Sequence, residues 1–180
     1  FTLVAANFRF APQFLRAHQG LPLEGLLADL GVSSHQFDTA ERGFSLRFDG
    51  PLDMRMNPEK GLSAKEVLNS YSEEELARVF WKYGEIKSNR RLSRAICQAR
   101  PLERTTDLVS LVEAFGPNNK RHQFVAHAFQ AIRIFINREL EDLELALECM
   151  VNKLVVGGRL VVISFHSLED RIVKRFMRDQ

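Results

Sequence analysis

The chain has 180 residues, 45% of them hydrophobic and 27% charged, the profile of an ordinary globular protein rather than a disordered or fibrous one. Twenty-five Lys and Arg against 23 Asp and Glu leave a net charge of +2, too small to announce a nucleic-acid binder by itself. Two distant cysteines, Cys97 and Cys149, exclude a disulfide framework and a cysteine-rich zinc site and fit a reducing, cytoplasmic setting. No apolar run approaches the ~20 residues of a membrane span.

In chain order, residues 1–6 (Phe-Thr-Leu-Val-Ala-Ala) read as a strand met in mid-fold. No methionine opens the chain, so an N-terminal part upstream is expected. A short helix follows over 11–18. Residues 21–30 end in Leu26-Leu27-Ala28-Asp29 before Gly31. A short apolar run bounded by turn residues suits a buried parallel strand, although periodicity alone does not exclude a helix. From 31 to 61 neither period holds, and a loop of ~30 residues is uncommon unless functional or disordered. Phe37, Phe44, Leu46, Phe48, Leu52, Met54 and Met56 argue against disorder. An ordered, functional loop is expected.

Short helices come next. Ser63-Ala-Lys-Glu66 and Ser72-Glu-Glu-Glu75 have the Ser-x-x-Glu form of a capping box, predicting helices over 63–69 and 72–83, the second stopped by Gly84. Ser88 opens a third that ends before Pro101. Thr106 or Asp107 caps a fourth that stops at Gly116-Pro117. Two longer helices follow over 122–137 and 139–154. The first is apolar on most sides, which predicts burial against a sheet. Gly157-Gly158 turns the chain into a buried strand, Arg159-Leu-Val-Val-Ile-Ser-Phe165, and a last helix begins at His166-Ser-Leu-Glu-Asp170. Outside the four short helices, strand and helix alternate as in a parallel α/β sheet. Such sheets bind ligands at the carboxyl ends of their strands, here residues 29–36 and 164–170.

Each candidate residue has a plain reading beside a chemical one. Asp29 is a turn or helix cap, or a carboxylate that accepts hydrogen bonds from a ligand, helped by Ser33, Ser34 and Gln36. Ser167 caps the last helix with Glu169 and Asp170 complementing its dipole, and His166, at a strand tip, is free for chemistry as well. A metal trio of His166, Glu169 and Asp170 is disfavoured because adjacent acids diverge by ~100° on a helix, and no metal is expected. Gly-Val-Ser-Ser lacks the elbow of a serine hydrolase. No Walker or Gly-x-Gly-x-x-Gly loop is present. Phe8 is a core aromatic or a ring that stacks on a planar ligand, and Trp81 is packing. Lys87, Arg90, Arg91, Arg94, Arg100 and Arg104, opposed only by Glu103, form either a solvated helix face or a phosphate-contacting surface.

Asp29-Leu-Gly-Val-Ser-Ser-His-Gln36, Glu41-Arg-Gly-Phe-Ser45, Asp49-Gly-Pro-Leu-Asp-Met-Arg-Met-Asn57, Phe129-Gln-Ala-Ile-Arg-Ile-Phe-Ile-Asn137 and Gly158-Arg-Leu-Val-Val-Ile-Ser-Phe-His-Ser-Leu-Glu-Asp-Arg-Ile-Val-Lys-Arg-Phe176 closely resemble the ribosomal RNA small subunit methyltransferase H family, in order and over essentially the whole chain. The resemblance implies an enzyme that uses S-adenosyl-L-methionine to methylate the N4 amine of a cytidine in the decoding region of small-subunit ribosomal RNA. The implied fold is α/β: a Rossmann-like methyltransferase core, incomplete at its N-terminus, over 1–60 and 121–180, with an inserted helical domain over 61–120.

Carried over to these positions, Phe8, Asp29 and Gln36 meet the cofactor, Phe8 beside the adenine. On that basis Asp29, Ser33 and Ser34 are expected where methyl donor and amine meet, and Asp53, Arg55 and His166 are expected to position the cytidine or take part in proton transfer. The resemblance also favours the phosphate-contacting reading of the basic run, so that Arg90, Arg91, Arg94 and Arg100 are expected to grip rRNA phosphates. The implied partners are small-subunit rRNA and the small ribosomal subunit, with no membrane and with the oligomeric state left open. His35 stands where proline is usual. The family's glycine-rich loop and its ribose-binding acid fall upstream of Phe1, so the chain is expected to be a fragment. The alternative is therefore a non-catalytic RNA- or ribosome-binding fragment, and another acceptor, such as a protein amide, stays open.

Overall fold

The computed structural model describes residues 1–179. In chain order the elements are α1 (Ala11–Ala17), β1 (Leu23–Asp29), α2 (Ser34–Asp38), α3 (Ala64–Ser70), α4 (Glu73–Gly84), α5 (Asn89–Ala99), α6 (Thr105–Glu113), α7 (Arg121–Asn137), α8 (Glu139–Val151), β2 (Leu154–Ile163) and α9 (Ser167–Arg178). Two compact units result. The first joins Phe1–Gly31 to Arg138–Gln180, whose last residue lies outside the described ones; the second is Val32–Asn137.

In the first unit β1 and β2 pair in parallel, Asp29 opposite Ile163 and Leu26 opposite Leu160. The register jumps from Leu23 opposite Leu154 to Gly25 opposite Arg159, so the residues between Leu154 and Arg159 bulge out. Gly157, at φ +83°, takes the left-handed conformation that the bulge needs and that a side chain resists. The predicted turn at Gly157-Gly158 is thus a bulge inside a longer strand. Leu30, Leu143, Leu147 and Val173 form the core of this unit, with Ala28, Leu160, Val162, Ile172 and Phe176 against it. Alternate strand residues therefore face α8 and α9.

Three expectations are corrected here. Residues 1–6 are not a strand: a strand exists through ladder partners, and among the described residues this segment has none. β2 is buried on one side only, because Val161, Ile163 and the following Phe165 are exposed. Its alternating pattern follows from helices covering a single face. Helix α7, expected on a sheet, is buried instead among the helices of its own unit. It packs on α3, α4 and α6, burying Val125, Ala128, Phe129, Ala131, Ile132 and Ile134.

The second unit is a helical bundle cored by Leu68, Leu76, Phe80, Leu92, Ile96, Leu108, Ile132 and Ile134. Capping boxes start α3 and α4 as predicted, with Ser63 and Glu66, then Ser72 and Glu75, bonding reciprocally. Glu85, at φ +51°, closes α4 in place of the expected Gly84. Gly84 serves instead as a close-contact residue, since a Cβ there would lie 2.9 Å from the His127 carbonyl on α7. Helix α6 is capped at Arg104, with Asp107 as the third helical residue, and ends at Glu113.

The long loop is ordered, as expected. Leu52 and Met54 are fully buried, and Gly50 and Leu52 exchange backbone hydrogen bonds with residues 103–105. The Thr105 hydroxyl accepts from Gly50 N–H at 3.0 Å. Residues 32–60 and 121–137 therefore share one compact unit with 61–120. Compactness in space and the module boundaries expected at 60 and 121 are different properties, and the packing speaks only to the first.

Candidate functional site

The site residues implied by sequence divide between the units, and each unit is described by itself. Phe8, Asp29 and His166 belong to the first; Ser33, Ser34, Gln36, Asp53, Arg55 and the arginines of α5 belong to the second.

Asp29 is the last residue of β1 and is exposed. It caps no helix; that role falls to Ser33, whose hydroxyl accepts from the Gln36 N–H at 3.4 Å, while Gln36 Oε1 accepts from the Ser33 N–H at 2.9 Å. This capping box fixes the start of α2 and occupies one face of both side chains. Ser34, the first residue of α2, is exposed. Asp29 is left as a solvent-facing carboxylate at the carboxyl end of a parallel strand, where ligands of such sheets bind.

Phe8 opens a 3-10 turn, Phe8–Phe10, and the residue is 44% exposed. It is not a buried core aromatic among the described residues. The turn is held by Asn7 and Arg9, both bonded to the buried carboxylate of Asp142 on α8.

His166 is placed differently from the expectation. It is itself the N-cap of α9, with Nδ1 accepting from the Glu169 N–H at 3.4 Å, so Ser167 is not the cap. The imidazole can reach where a serine would because its Nδ1 lies at hydroxyl distance from the backbone. The side chain is only 9% exposed, and Nε2 lies 3.2 Å from Glu169 Oε1 without the alignment of a hydrogen bond. Glu169 Oε2 accepts from Phe165 N–H at 2.8 Å. Glu139, His166 and Glu169 bring their ligand atoms within 4.8 Å of one another. Asp170, the third member of the metal trio weighed from sequence, instead pairs with Lys174 at 2.8 Å.

In the second unit Arg55 grips Asp53 with Nε to Oδ1 at 2.7 Å and a terminal nitrogen to Oδ2 at 2.8 Å. Burial pushes the Asp53 carboxyl up, but hydrogen bonds from the Arg55 side chain and backbone, with the charges of Arg55 and Arg42, outweigh it and hold it below its ordinary value. A carboxylate so stabilised is a poor proton acceptor near neutrality. It suits positioning rather than base chemistry. Asn137 and Arg42, missed by sequence reading, anchor this loop: Asn137 donates to the Met54 carbonyl at 2.8 Å and accepts from the Met56 N–H at 2.6 Å, and Arg42 donates to the Arg55 and Met56 carbonyls at 2.7 and 3.0 Å. Met54 at φ +59° is strained for a non-glycine residue, and these bonds keep it there.

The basic run also divides. Arg90, Arg91 and Arg94 are exposed on α5, Arg94 pairing with Glu73 at 3.2 Å and Arg91 lying 5.9 Å over the Phe115 ring. Arg100 donates to the Leu68 carbonyl at 2.8 Å and to that of Tyr71, so its guanidinium ties down the end of α3.

The chain matches the model of the MraW methylase family over residues 1–180. The chain belongs to the MraW methylase family. Within that family's curated relatives it is 50% identical over 182 residues to "Ribosomal RNA small subunit methyltransferase H" of Flavobacterium psychrophilum, covering 99% of this chain and 62% of that protein. It is 47% identical to the protein of the same name from Phocaeicola vulgatus, covering 99% and 60%. Against that of Amoebophilus asiaticus it is 49% identical, covering 99% and 58%. The chain thus spans about 60% of the length of the curated relatives it matches. The resemblance read from the motifs is borne out, and so is the fold class: a mixed α/β, Rossmann-like methyltransferase fold with parallel strands. Membership of a methylase family implies a methyl donor. Among the described residues, no helix is long and apolar enough to cross a membrane.

Proposed function

We propose that this MraW family chain is part of a cytoplasmic, S-adenosyl-L-methionine-dependent methyltransferase acting on the N4 amine of a cytidine in the decoding region of small-subunit rRNA. The observation that carries the reading is Asp29, an exposed carboxylate at the carboxyl end of β1 within a chain matched from end to end by a methylase family. Each unit by itself offers groups suited to the cofactor: in the first, Phe8 for a planar base and the exposed carboxylate of Asp29; in the second, the side-chain amide of Gln36, assigned from the family resemblance. When bound, the cofactor supplies an electrophilic methyl group.

The exocyclic amine of cytosine is a weak nucleophile because its lone pair is conjugated into the ring. The site must orient it and relieve it of a proton. Asp29 is our assignment for that acceptor, with Ser33 and Ser34 beside the reacting end. The Arg55–Asp53 pair presents fixed donors and acceptors to the base, and His166, buried under its own helix, sets the turn that leads from β2 into α9. The target nucleotide leaves its stack to enter such a site. Arg90, Arg91 and Arg94 contact rRNA phosphates, with Arg100 bracing the helix behind them. The core takes in 1–60 and 121–180, and 61–120 is the inserted helical module.

Mass spectrometry of rRNA nucleosides from cells with and without the gene tests the reading. Loss of N4-methylcytidine from small-subunit rRNA, restored by full-length protein but not by its Asp29→Asn variant, is the expected result. Unchanged rRNA together with an undermethylated protein amide would replace the acceptor.

A further inference from the structure

We propose that Asp142, on α8, is a positioning residue for cofactor binding: its buried carboxylate presets the turn that presents Phe8. The inference rests on the reading of Phe8 as the ring that meets the adenine. Asp142 is only 3% exposed, and a buried carboxylate is costly unless its oxygens are satisfied. Each oxygen has one partner here. Oδ2 accepts from the Asn7 side-chain amide at 2.7 Å, and Oδ1 accepts from an Arg9 guanidinium nitrogen at 3.0 Å.

Those donors are the residues on either side of Phe8. Asn7 is held further, because its Oδ1 accepts from the Arg9 backbone N–H at 2.9 Å as the cap of the 3-10 turn. The Arg9 guanidinium also lies 4.6 Å over the Phe10 ring. One carboxylate therefore closes a loop of contacts around a single aromatic residue that is itself substantially exposed. Residues 1–6, just before it, carry no helix or strand among the described residues. Asp142, 135 residues away from Asn7 in sequence, supplies the fixed point. Preorganising a binding group lowers the ordering cost paid when the ligand arrives.

The test is calorimetry of S-adenosyl-L-methionine binding to full-length protein carrying Asp142→Asn, Phe8→Ala or both, with kcat and KM measured for each. The expected result is a rise of about tenfold in cofactor Kd and KM for Asp142→Asn, with kcat at saturating cofactor retained. The double variant should bind no more weakly than Phe8→Ala alone, because the two residues act through one contact. Should Asp142→Asn fail to fold, Asn7→Ala at the surface carries the same expectation with a smaller rise. A Phe8→Ala variant that loses affinity beside an Asp142→Asn variant that keeps it would overturn the inference and leave Phe8 standing. Additive losses would also overturn it. Unchanged affinity in Phe8→Ala would remove the Phe8 reading, and the inference with it.

Discussion

Arg55 holds Asp53 by two parallel side-chain hydrogen bonds of 2.7 and 2.8 Å, and its own backbone N–H adds a third at 3.0 Å. Two residues apart, they form a rigid charged unit on a loop of otherwise irregular backbone. The fork geometry of guanidinium on carboxylate makes such a pair stronger and more directional than a single contact. The Asp53 carboxyl is lowered in the folded protein, so its stabilising contribution is fully present above the ordinary carboxylate range. That contribution is lost only as pH falls through the lowered folded value. Asp53→Asn should cost about 1 kcal/mol near neutrality, and the gap from wild type should close as denaturation is repeated toward pH 3. A gap independent of pH would mean that the amide disturbs packing and not the ion pair.

Asn137 binds the same loop from the end of α7. Its amide serves the Met54 carbonyl and the Met56 N–H at 2.8 and 2.6 Å, so Asn137→Ala strips partners from two part-buried backbone groups. A loss of about 2 kcal/mol in chemical denaturation follows, together with faster proteolysis between Met54 and Gly61. Asn137→Asp keeps the acceptor for Met56 and removes the donor to Met54, and should fall between. Equal stability of Asn137→Ala and wild type would show that water replaces both bonds.

Asp29 and His166 are expected to respond in opposite ways. Asp29 is exposed and caps nothing, so Asp29→Asn should move stability by less than about 0.5 kcal/mol. Methyl transfer should drop at least ~100-fold, the usual weight of a lost proton acceptor. His166→Ala removes the N-cap of α9 and should destabilise by about 1 kcal/mol. Full methylation by the Asp29→Asn enzyme would reassign the proton to another group.

The arginines of α5 and Arg100 just beyond it separate by salt dependence. Removing Arg90 or Arg91, exposed on the helix, should reduce the slope of log affinity for rRNA against log salt by ~0.7–0.9 per lost phosphate contact. Arg100, committed to carbonyls at the end of α3, should leave that slope unchanged when replaced by Met while lowering the melting temperature. The same slope in every variant would take α5 out of the RNA surface.

Features that depend on near neighbours in the chain were legible from residues alone. The starts of α3 and α4 follow from Ser63 with Glu66 and Ser72 with Glu75, because a capping box spans three residues and needs nothing else. The apolar run before Asp29 marked β1, and the motif words around Asp29, Asp53 and His166 marked the family. A strand at 1–6 was expected and is absent, since a ladder requires a partner that local sequence cannot supply. The partner of α7 was misjudged for a similar reason: an apolar surface fits a sheet or helices equally well, and here it meets helices.

Composition and the 180-residue order of motifs thus determined the class of fold, the family and the list of side chains to consider, because local propensity and spacing are written in the chain itself. Only tertiary structure decided what those side chains are committed to. It made His166, rather than Ser167, the N-cap of α9 facing Glu169, spent Arg100 on carbonyls, and paired Asp53 with Arg55. It also joined Asp142 to Asn7 across 135 residues. Burial and hydrogen-bond partners are properties of folded space, and they decide which charged groups stay available for chemistry.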